Sequence, residues 1–254
     1  MGNLDGRHAL VTGGGSGIGA AIALNLAKAG ATVTISGRRQ QPLEAQSARH
    51  KNIDFVTADI TSADSVARMF DTAKSMAGPV EIIVANAGVA KSASLGKTDL
   101  SLWNEMISVN LTGTFLTLQE AAKHMAGANW GRMITIASTA GIKGSSYISA
   151  YSAAKHGVVG LTRSLAIEFA TKGITVNAVC PGFTETSIVE NTIANIMEKT
   201  GLDEKAARNA LSESNPMGKI IQPEEVAAAV AWLAGPDSDT ITGQSIAICG
   251  GETW

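Results

Sequence analysis

A glycine-rich turn lies between the first apolar run of the chain and its first helical pattern. Residues 8–11 predict a short strand, residues 12–19 read TGGGSGIG, and residues 20–30 carry apolar side chains on one helical face. A second predicted strand follows at 31–36. Together these make a βαβ unit, in which glycines let the backbone approach a phosphate and the helix N-terminus offers free N–H groups. The alternative is a tight turn without a ligand, but this placement favours nucleotide binding.

The same alternation continues along the rest of the chain. Apolar runs that predict strands alternate with amphipathic patterns that predict helices, without a linker, repeat or low-complexity tract. We therefore predict an α/β fold: one Rossmann-type domain over residues 1–254, with a doubly wound parallel sheet flanked by helices on both faces. The further predicted strands are 53–60, 80–88, 132–138, 174–182 and 241–249, and the further helices are 62–78, 100–127, 151–173 and 223–235.

Composition excludes several classes of partner. The chain has a formal net charge of −2 and no Lys/Arg-rich run, so we expect neither nucleic acid nor an anionic membrane as its partner. No apolar stretch approaches the roughly 18 residues that a membrane span needs. Cys180 and Cys249 lie far apart without metal-ligand spacing, so we expect no metal and two buried thiols rather than one disulfide. The expectation is a cytoplasmic protein that acts on a small molecule.

A tyrosine and a lysine share one face of a predicted helix. Tyr151 and Lys155 are four residues apart in a run with helical spacing, so phenol and ammonium can point into the same space. A nearby cation favours the phenolate and should lower the tyrosine pKa from its usual value of about 10. Ser138 ends an apolar run that predicts a buried strand. A surface pair is the alternative for the tyrosine and lysine alone.

Polar residues and glycines follow the predicted strands where these end. Because the carboxyl ends of parallel strands meet at one edge of the sheet, these residues should line one edge, where ligands bind in such folds. They are Gly13, Arg38, Asp59, Asn86, Ser138 and Pro181.

These motifs, taken together and in order, resemble the short-chain dehydrogenase/reductase family. The matching residues span nearly the whole chain: TGGGSGIG at 12–19, Ala58-Asp59, Asn86-Ala87-Gly88, Asn110, Ser138, Tyr151 with Lys155, and PGFTET at 181–186. The resemblance implies an oxidoreductase that moves a hydride between a nicotinamide cofactor and a carbonyl or alcohol carbon.

The resemblance also implies a role for four catalytic residues. Tyr151 would be the general acid in reduction or the base in oxidation, and Lys155 would lower its pKa and hold the nicotinamide ribose. Ser138 would orient the substrate oxygen. Asn110, at a helix irregularity, would anchor a water that relays protons to Lys155. The structural alternatives are a helix kink for Asn110 and a strand-end cap for Ser138.

By the same resemblance, a set of residues would contact the dinucleotide. Gly13, Ser16, Gly17, Ile18 and Gly19 would meet the pyrophosphate, Asp59 and Ile60 the adenine, Asn86, Ala87 and Gly88 its ribose side, and Tyr151, Lys155, Pro181, Gly182, Thr184 and Thr186 the nicotinamide end. Residues 86–88 also have a structural interpretation, in which they brace the central sheet.

The end of the second predicted strand bears on the choice of cofactor. Members of the family that prefer NAD(H) carry an acidic residue there, and this chain has Gly37 followed by Arg38 and Arg39. Guanidinium groups can clamp a 2′-phosphate, so NADP(H) is favoured. NAD(H) is the alternative, with the arginines solvated or stacked on adenine.

The family's substrate loop corresponds to residues 183–216, which we expect to form a lid. Its apolar residues recur at helical spacing and would cover an apolar substrate or only pack the lid; Lys91 and Lys143 are nearby cations that can reach a charged group. The first expectation is a reductase of 3-oxoacyl thioesters or related ketones. The alternative is an NAD-dependent dehydrogenase of a secondary alcohol, hydroxy acid or sugar acid. A non-catalytic dinucleotide sensor is disfavoured, because all four catalytic residues are present.

A homotetramer is expected from the resemblance alone. In this family the helices that carry Asn110 and Lys155 pair across one interface, and the C-terminal segment joins a second. Trp254 is therefore a candidate interface residue.

Overall fold

Parallel strands and covering helices follow one another as the sequence predicts. The fold comes from a computed structural model, and the structure describes residues 4–253, so the interface role of Trp254 lies outside the described residues. One seven-stranded sheet has the order β3-β2-β1-β4-β5-β6-β7. The strands are β1 (His8–Thr12), β2 (Thr32–Gly37), β3 (Ile53–Thr57), β4 (Ile82–Ala85), β5 (Gly131–Ile136), β6 (Ile174–Pro181) and β7 (Ser245–Ile248).

The strand order reverses between β1 and β4, which are neighbours in the sheet. Chain crossovers leave these two strands in opposite directions and open a crevice at their carboxyl ends, where ligands of such sheets bind. The helices that make the crossovers and their extensions are α1 (Gly17–Lys28), α2 (Gln40–Ser47), α3 (Ala63–Ala77), α4 (Leu100–Ile107), α5 (Gly113–His124), α6 (Ser149–Phe169), α7 (Ser187–Thr200), α8 (Glu204–Ser212) and α9 (Pro223–Ala234).

Apolar side chains cover both faces of the sheet. Successive residues of β1 point to opposite faces, so Val11 joins the core under α1 and α9, and Leu10 joins the core under α3, α5 and α6. Ile22 of α1 and Phe70 of α3 are fully buried in these two cores. Each such side chain contributes about 1.5–3 kcal/mol by leaving water. Because helices cover both faces of the sheet, side chains on both sides of each strand are buried, and the strands are apolar throughout.

The structure differs from the sequence patterns at several element bounds, and the following differences have a physical reason or a role in the site. Helix α2 was not predicted, because only Leu43 and Gln46 of this helix are buried and no apolar stripe repeats. The predicted helix 100–127 is divided by a π-helical turn at Ser108–Thr112. The last strand begins at Ser245 rather than at residue 241.

The predicted lid contains two helices with a small core of their own. Helices α7 and α8 pack through Val189, Ile193, Ala207 and Leu211, apart from the cores of the sheet. None of the helices within residues 4–253 is long and apolar enough to cross a membrane.

A buried histidine at the amino end of the sheet should make stability depend on pH. The ring of His8 contacts the Gly78 carbonyl through Nδ1 and the Thr34 hydroxyl through Nε2, both at 2.9 Å. Burial lowers the pKa of His8 below its usual 6.5. Below about pH 6.5 the unfolded chain therefore binds a proton that the folded chain does not, and the free energy of unfolding falls until the folded pKa is passed.

Chemical denaturation between about pH 7.5 and about pH 5.5 tests this expectation. The wild type should lose more unfolding free energy over this range than a His8→Asn variant. His156→Asn is the matched control, because that imidazole is exposed on α6, and it should keep the wild-type slope. Equal slopes for the wild type and His8→Asn would contradict the assignment.

Candidate active site

Side chains after six neighbouring strands meet at the carboxyl edge of the sheet. The strands are parallel and in register, so the residues that follow them come to one edge. Each predicted edge residue lies at or within two residues of a strand end: Gly13, Arg38, Asp59, Asn86, Ser138 and Pro181.

The glycine turn has a backbone that side chains would disturb. Gly13 and Gly17 have φ values of +66° and +53°, in the left-handed region that favours glycine. At Gly19 an added Cβ would lie 2.3 Å from the Gly13 carbonyl oxygen and 2.5 Å from Asn86 Nδ2. The turn and the start of α1 are therefore packed backbone against backbone, as the close approach of a phosphate requires.

Thr12 and Asn86 brace this turn against β4. The Thr12 hydroxyl accepts hydrogen bonds from the backbone N–H groups of Asn86 (3.0 Å) and Ala87 (3.1 Å). Asn86 Nδ2 donates to the carbonyls of Thr12 (2.8 Å) and Gly13 (3.3 Å). The bracing role of residues 86–88 is thus present in the structure. Thr12 opens the glycine motif, but the sequence by itself indicates no bracing role for it.

The N-terminus of α1 fits an anion. Ser16 is the N-cap residue, its side chain makes no capping hydrogen bond, and the first turn contains no acidic residue. Ile18 packs against the core, which holds the helix start in place. Thr186 covers the turn from the opposite side, since a Cβ at Gly17 would lie 3.0 Å from its Cγ2. The N–H groups and the helix dipole here can hold a pyrophosphate.

Asp59 and Arg38 lie together beyond β2 and β3. The Asp59 carboxylate accepts hydrogen bonds from the backbone (2.9 Å) and the hydroxyl (2.7 Å) of Thr61. These bonds hold the pKa of Asp59 below its usual value, and the Arg38 guanidinium contributes least. Ile60 is buried against Gly113. Arg38 and Arg39 are exposed, and neither makes a hydrogen bond or an ion pair within residues 4–253.

The Ser138 hydroxyl lies close enough to the Tyr151 phenol to act on its pKa, which it lowers. Ser138 also caps the 3-10 turn Thr139–Gly141, because its Oγ accepts from the Ala140 N–H at 3.1 Å. The pKa of Tyr151 is raised overall, since burial disfavours the phenolate and outweighs the opposing effect of Ser138. The expectation that the protein lowers this pKa through Lys155 was wrong: burial dominates.

Lys155 is buried next to Tyr151. Its Nζ donates to the Ile136 carbonyl at 2.8 Å and lies 5.7 Å from the centre of the Tyr151 ring. Burial lowers the pKa of Lys155 to about 8. The neighbouring thiol of Cys180 is buried as well. Its burial raises the pKa of Cys180 to about 11, so this thiol stays protonated. Near neutral pH the lysine still carries its charge and can act as a donor.

Asn110 lies in the π-helical turn between α4 and α5 and is fully buried. Its Nδ2 donates to the carbonyls of Val89 and Met106, both at 3.0 Å, and its Oδ1 accepts from the Val89 N–H at 3.1 Å. The side chain therefore ties the helix to the loop after β4. A Cβ at Gly88 would lie 2.7 Å from Asn110 Oδ1 and 3.6 Å from Lys155 Nζ, which places all three residues together.

The segment after β6 closes the site and leads into the lid. Gly182 N–H donates to the Ile248 carbonyl at 3.0 Å, and the Thr184 and Thr186 hydroxyls donate to carbonyls two residues earlier. Between these threonines, Glu185 accepts hydrogen bonds from Arg208 of α8 through both carboxylate oxygens at 2.9 Å. This ion pair lies within the predicted lid, where it ties α8 to the segment after β6, and nothing in the sequence pattern predicted it.

Known proteins share this arrangement over nearly their whole length. A family model described as short chain dehydrogenase matches residues 7–196. The chain belongs to the short-chain dehydrogenases. It is 38% identical over 252 residues to cis-4-hydroxycyclohexanecarboxylate dehydrogenase of Sinomonas cyclohexanicum, covering 97% of this chain and 96% of the relative. It is 36% identical over 251 residues to acetoacetyl-CoA reductase of Allochromatium vinosum, covering 96% and 98%.

A solved short-chain dehydrogenase structure agrees with the fold. A variant of actinorhodin polyketide ketoreductase with NADPH matches at a TM-score of 0.94 and 35% identity, covering 99% of both chains. This short-chain dehydrogenase is thus an oxidoreductase that interconverts a carbonyl and an alcohol with a nicotinamide cofactor. The cofactor supplies or accepts the hydride, and the chain's own groups supply binding, orientation and the proton.

Proposed function

We propose that the protein reduces a ketone with NADPH, and that its substrate is a 3-oxoacyl thioester or a related ketone. The observation that carries the cofactor preference is the pair Arg38 and Arg39, exposed beyond β2 with no side-chain hydrogen bond or ion pair within residues 4–253, where Gly37 stands in place of a carboxylate. Asp59 is near, but hydrogen bonds from Thr61 engage its carboxylate. Likeness to a ketoreductase with NADPH and to an acetoacetyl-CoA reductase supports the direction.

The proposed chemistry uses Tyr151 and Ser138 together with the buried Lys155. Tyr151 donates its hydroxyl proton to the substrate oxygen as that oxygen gains negative charge, and Ser138 orients the same oxygen. A raised tyrosine pKa keeps the phenol protonated, which suits a proton donor. Lys155 binds the nicotinamide ribose and stabilises the tyrosinate left behind. Asn110 holds the loop after β4 in position and anchors the proton relay toward Lys155.

The remaining residues of the edge bind the dinucleotide in this proposal. The glycine turn and the N-terminus of α1 hold the pyrophosphate, and the segment after β6 holds the nicotinamide end. The pyrophosphate would contact Gly13, Ser16, Gly17, Ile18 and Gly19. The adenosine would contact Arg38, Arg39, Asp59, Ile60, Asn86, Ala87 and Gly88. The nicotinamide end would contact Pro181, Gly182, Thr184 and Thr186.

An NAD-dependent dehydrogenase is the second candidate. The relative from Sinomonas cyclohexanicum is named as a dehydrogenase of a hydroxy acid, and its similarity to this chain is as high as that of the reductases. In that case Tyr151 is the base and must lose its proton. Its raised pKa then places the activity optimum on the alkaline side.

Titration with NADPH and NADH, followed by nicotinamide fluorescence, distinguishes the two candidates. The wild type should bind NADPH more tightly. An Arg38→Ala/Arg39→Ala double variant should weaken NADPH binding by about 10- to 100-fold, because charge-assisted hydrogen bonds to the phosphate are lost, and leave NADH binding unchanged. Arg68→Ala, at an exposed position on α3, is the control. Equal binding of both cofactors by the wild type would favour the NAD-dependent dehydrogenase.

We also propose a cytoplasmic homotetramer. Apolar side chains remain exposed on the helices around the site, including Trp103 of α4, Phe115 of α5 and Ile167 of α6. A partner subunit on these helices would cover them. Both cysteines are free and buried, which suits a reducing compartment. The mass in solution, measured by light scattering, tests the assembly.

A further inference from the structure

An ion pair joins the C-terminal segment to the loop that begins at Ser138. Lys143 Nζ lies 2.9 Å from Glu252 Oε1 and also donates to the Glu252 carbonyl oxygen at 3.3 Å. The loop is rigid at this point, because the Lys143 N–H donates to the Thr139 carbonyl at 2.9 Å. The Lys143 side chain is 37% exposed and that of Glu252 only 7%. The carboxylate is thus nearly buried, with a cation as its partner.

This ion pair joins two segments that adjoin predicted site residues. Glu252 Oε2 packs on the segment after β6, since a Cβ at Gly182 would lie 2.8 Å from it. Strands β5 and β6 are neighbours, and the Ala137 N–H donates to the Val179 carbonyl at 2.8 Å. Ser138 follows the end of β5, and Gly182 follows the end of β6. Because adjacent strands are about 4.8 Å apart, the two segments start close to each other. The carboxylate therefore packs on the segment after β6, next to the segment after β5 that begins at Ser138.

The ion pair neutralises the charge of Lys143, which an anionic substrate would need as its partner. Lys143 is the one cation between Ser138 and Tyr151 in the sequence, and so the candidate partner of a substrate carboxylate there. To do so it must leave Glu252, and a nearly buried carboxylate would then lose its partner, which is costly. Lys91, the other lysine that can reach a charged group, is paired with Glu105 at 2.6 Å. Both side chains of that pair are exposed, so water can solvate Glu105 when Lys91 moves away.

We propose that Glu252 is a specificity-determining residue, which neutralises Lys143 and so selects neutral ketones or thioesters over substrates with a free carboxylate. The inference rests on the proposed reduction of a ketone at the same site and names its substrate class. It separates the two kinds of relative, because an acyl thioester has no free carboxylate at the carbon where a hydroxy acid has one.

Matched substrates test this selection. With NADPH, kcat/KM is measured for acetoacetate and ethyl acetoacetate, and for 3-oxooctanoate and its ethyl ester. The wild type should prefer each ester to its acid. Glu252→Gln frees Lys143 and should raise kcat/KM for the acids by about tenfold while the esters change less than about twofold. The double variant Glu252→Gln/Lys143→Met should lose this gain, and Glu105→Gln, which frees Lys91, should leave the preference unchanged.

The possible failures are distinguishable. If Glu252→Gln lowers activity on acids and esters alike, the residue has only a structural role and the selection is overturned. A wild type that prefers the acids also overturns it, while the proposed ketone reduction stands. If the wild type reduces neither member of either pair and no other ketone, the proposed function fails, and the selection fails with it.

Discussion

Replacing Tyr151 with Phe should lower kcat by about 10²- to 10⁴-fold, the usual contribution of a positioned proton donor. The change removes one oxygen atom and keeps the ring that packs against Lys155. It also removes the interaction of the phenol with Ser138. Because the predicted pyrophosphate contacts lie elsewhere, dinucleotide binding should change less than about threefold. Steady-state kinetics on a ketone and a fluorescence titration of the cofactor measure the two quantities.

The chain contains a matched control for this variant. Tyr147 is the other tyrosine of the sequence, in the turn just before α6, and it is 68% exposed. Tyr147→Phe should keep full activity, because its exposed hydroxyl is not the predicted proton donor. Activity retained by Tyr151→Phe would remove this residue from the proton transfer, and loss of cofactor binding would assign it a binding role instead.

Gly19→Ala should weaken dinucleotide binding and destabilise the protein. The added Cβ would lie 2.3 Å from the Gly13 carbonyl oxygen, and neither this backbone nor Asn86 can move without disturbing the bonds that brace the turn. Overpacking of this kind typically costs about 1–3 kcal/mol, and more when backbone must shift. Cofactor affinity should fall at least about tenfold, because the glycine turn can no longer approach the pyrophosphate.

Gly160→Ala is the control for that prediction. Gly160 lies within α6, and a Cβ there would have no atom within 4 Å. Alanine is the better helix former, so this variant should be unchanged or more stable by up to about 1 kcal/mol. Thermal unfolding and the cofactor titration compare the two variants. Wild-type binding by Gly19→Ala would show that the turn tolerates a side chain and does not hold the phosphates as proposed.

Local patterns in the sequence were sufficient for the family and the architecture. The alternation of apolar runs and amphipathic helices predicted the parallel sheet, and both the sheet and the family are confirmed. The edge residues could be located because parallel strands bring their carboxyl ends together whatever the rest of the fold does. Helix α2 was missed, since its buried residues do not repeat with a helical period. The roles of Asn110, Ser138, Tyr151 and Lys155 stay predictions.

Contacts between distant segments were decided only by the tertiary structure. Residues four apart on a helix placed Lys155 near Tyr151, and this local argument predicted a lowered tyrosine pKa. The surrounding fold buries the phenol and raises its pKa instead. The ion pairs Lys143–Glu252 and Glu185–Arg208 join segments that are not neighbours in the chain, so no local spacing in the sequence predicts them. Strand and helix periods are local properties that a sequence displays directly, whereas burial and the partner of each charge depend on how the whole chain packs.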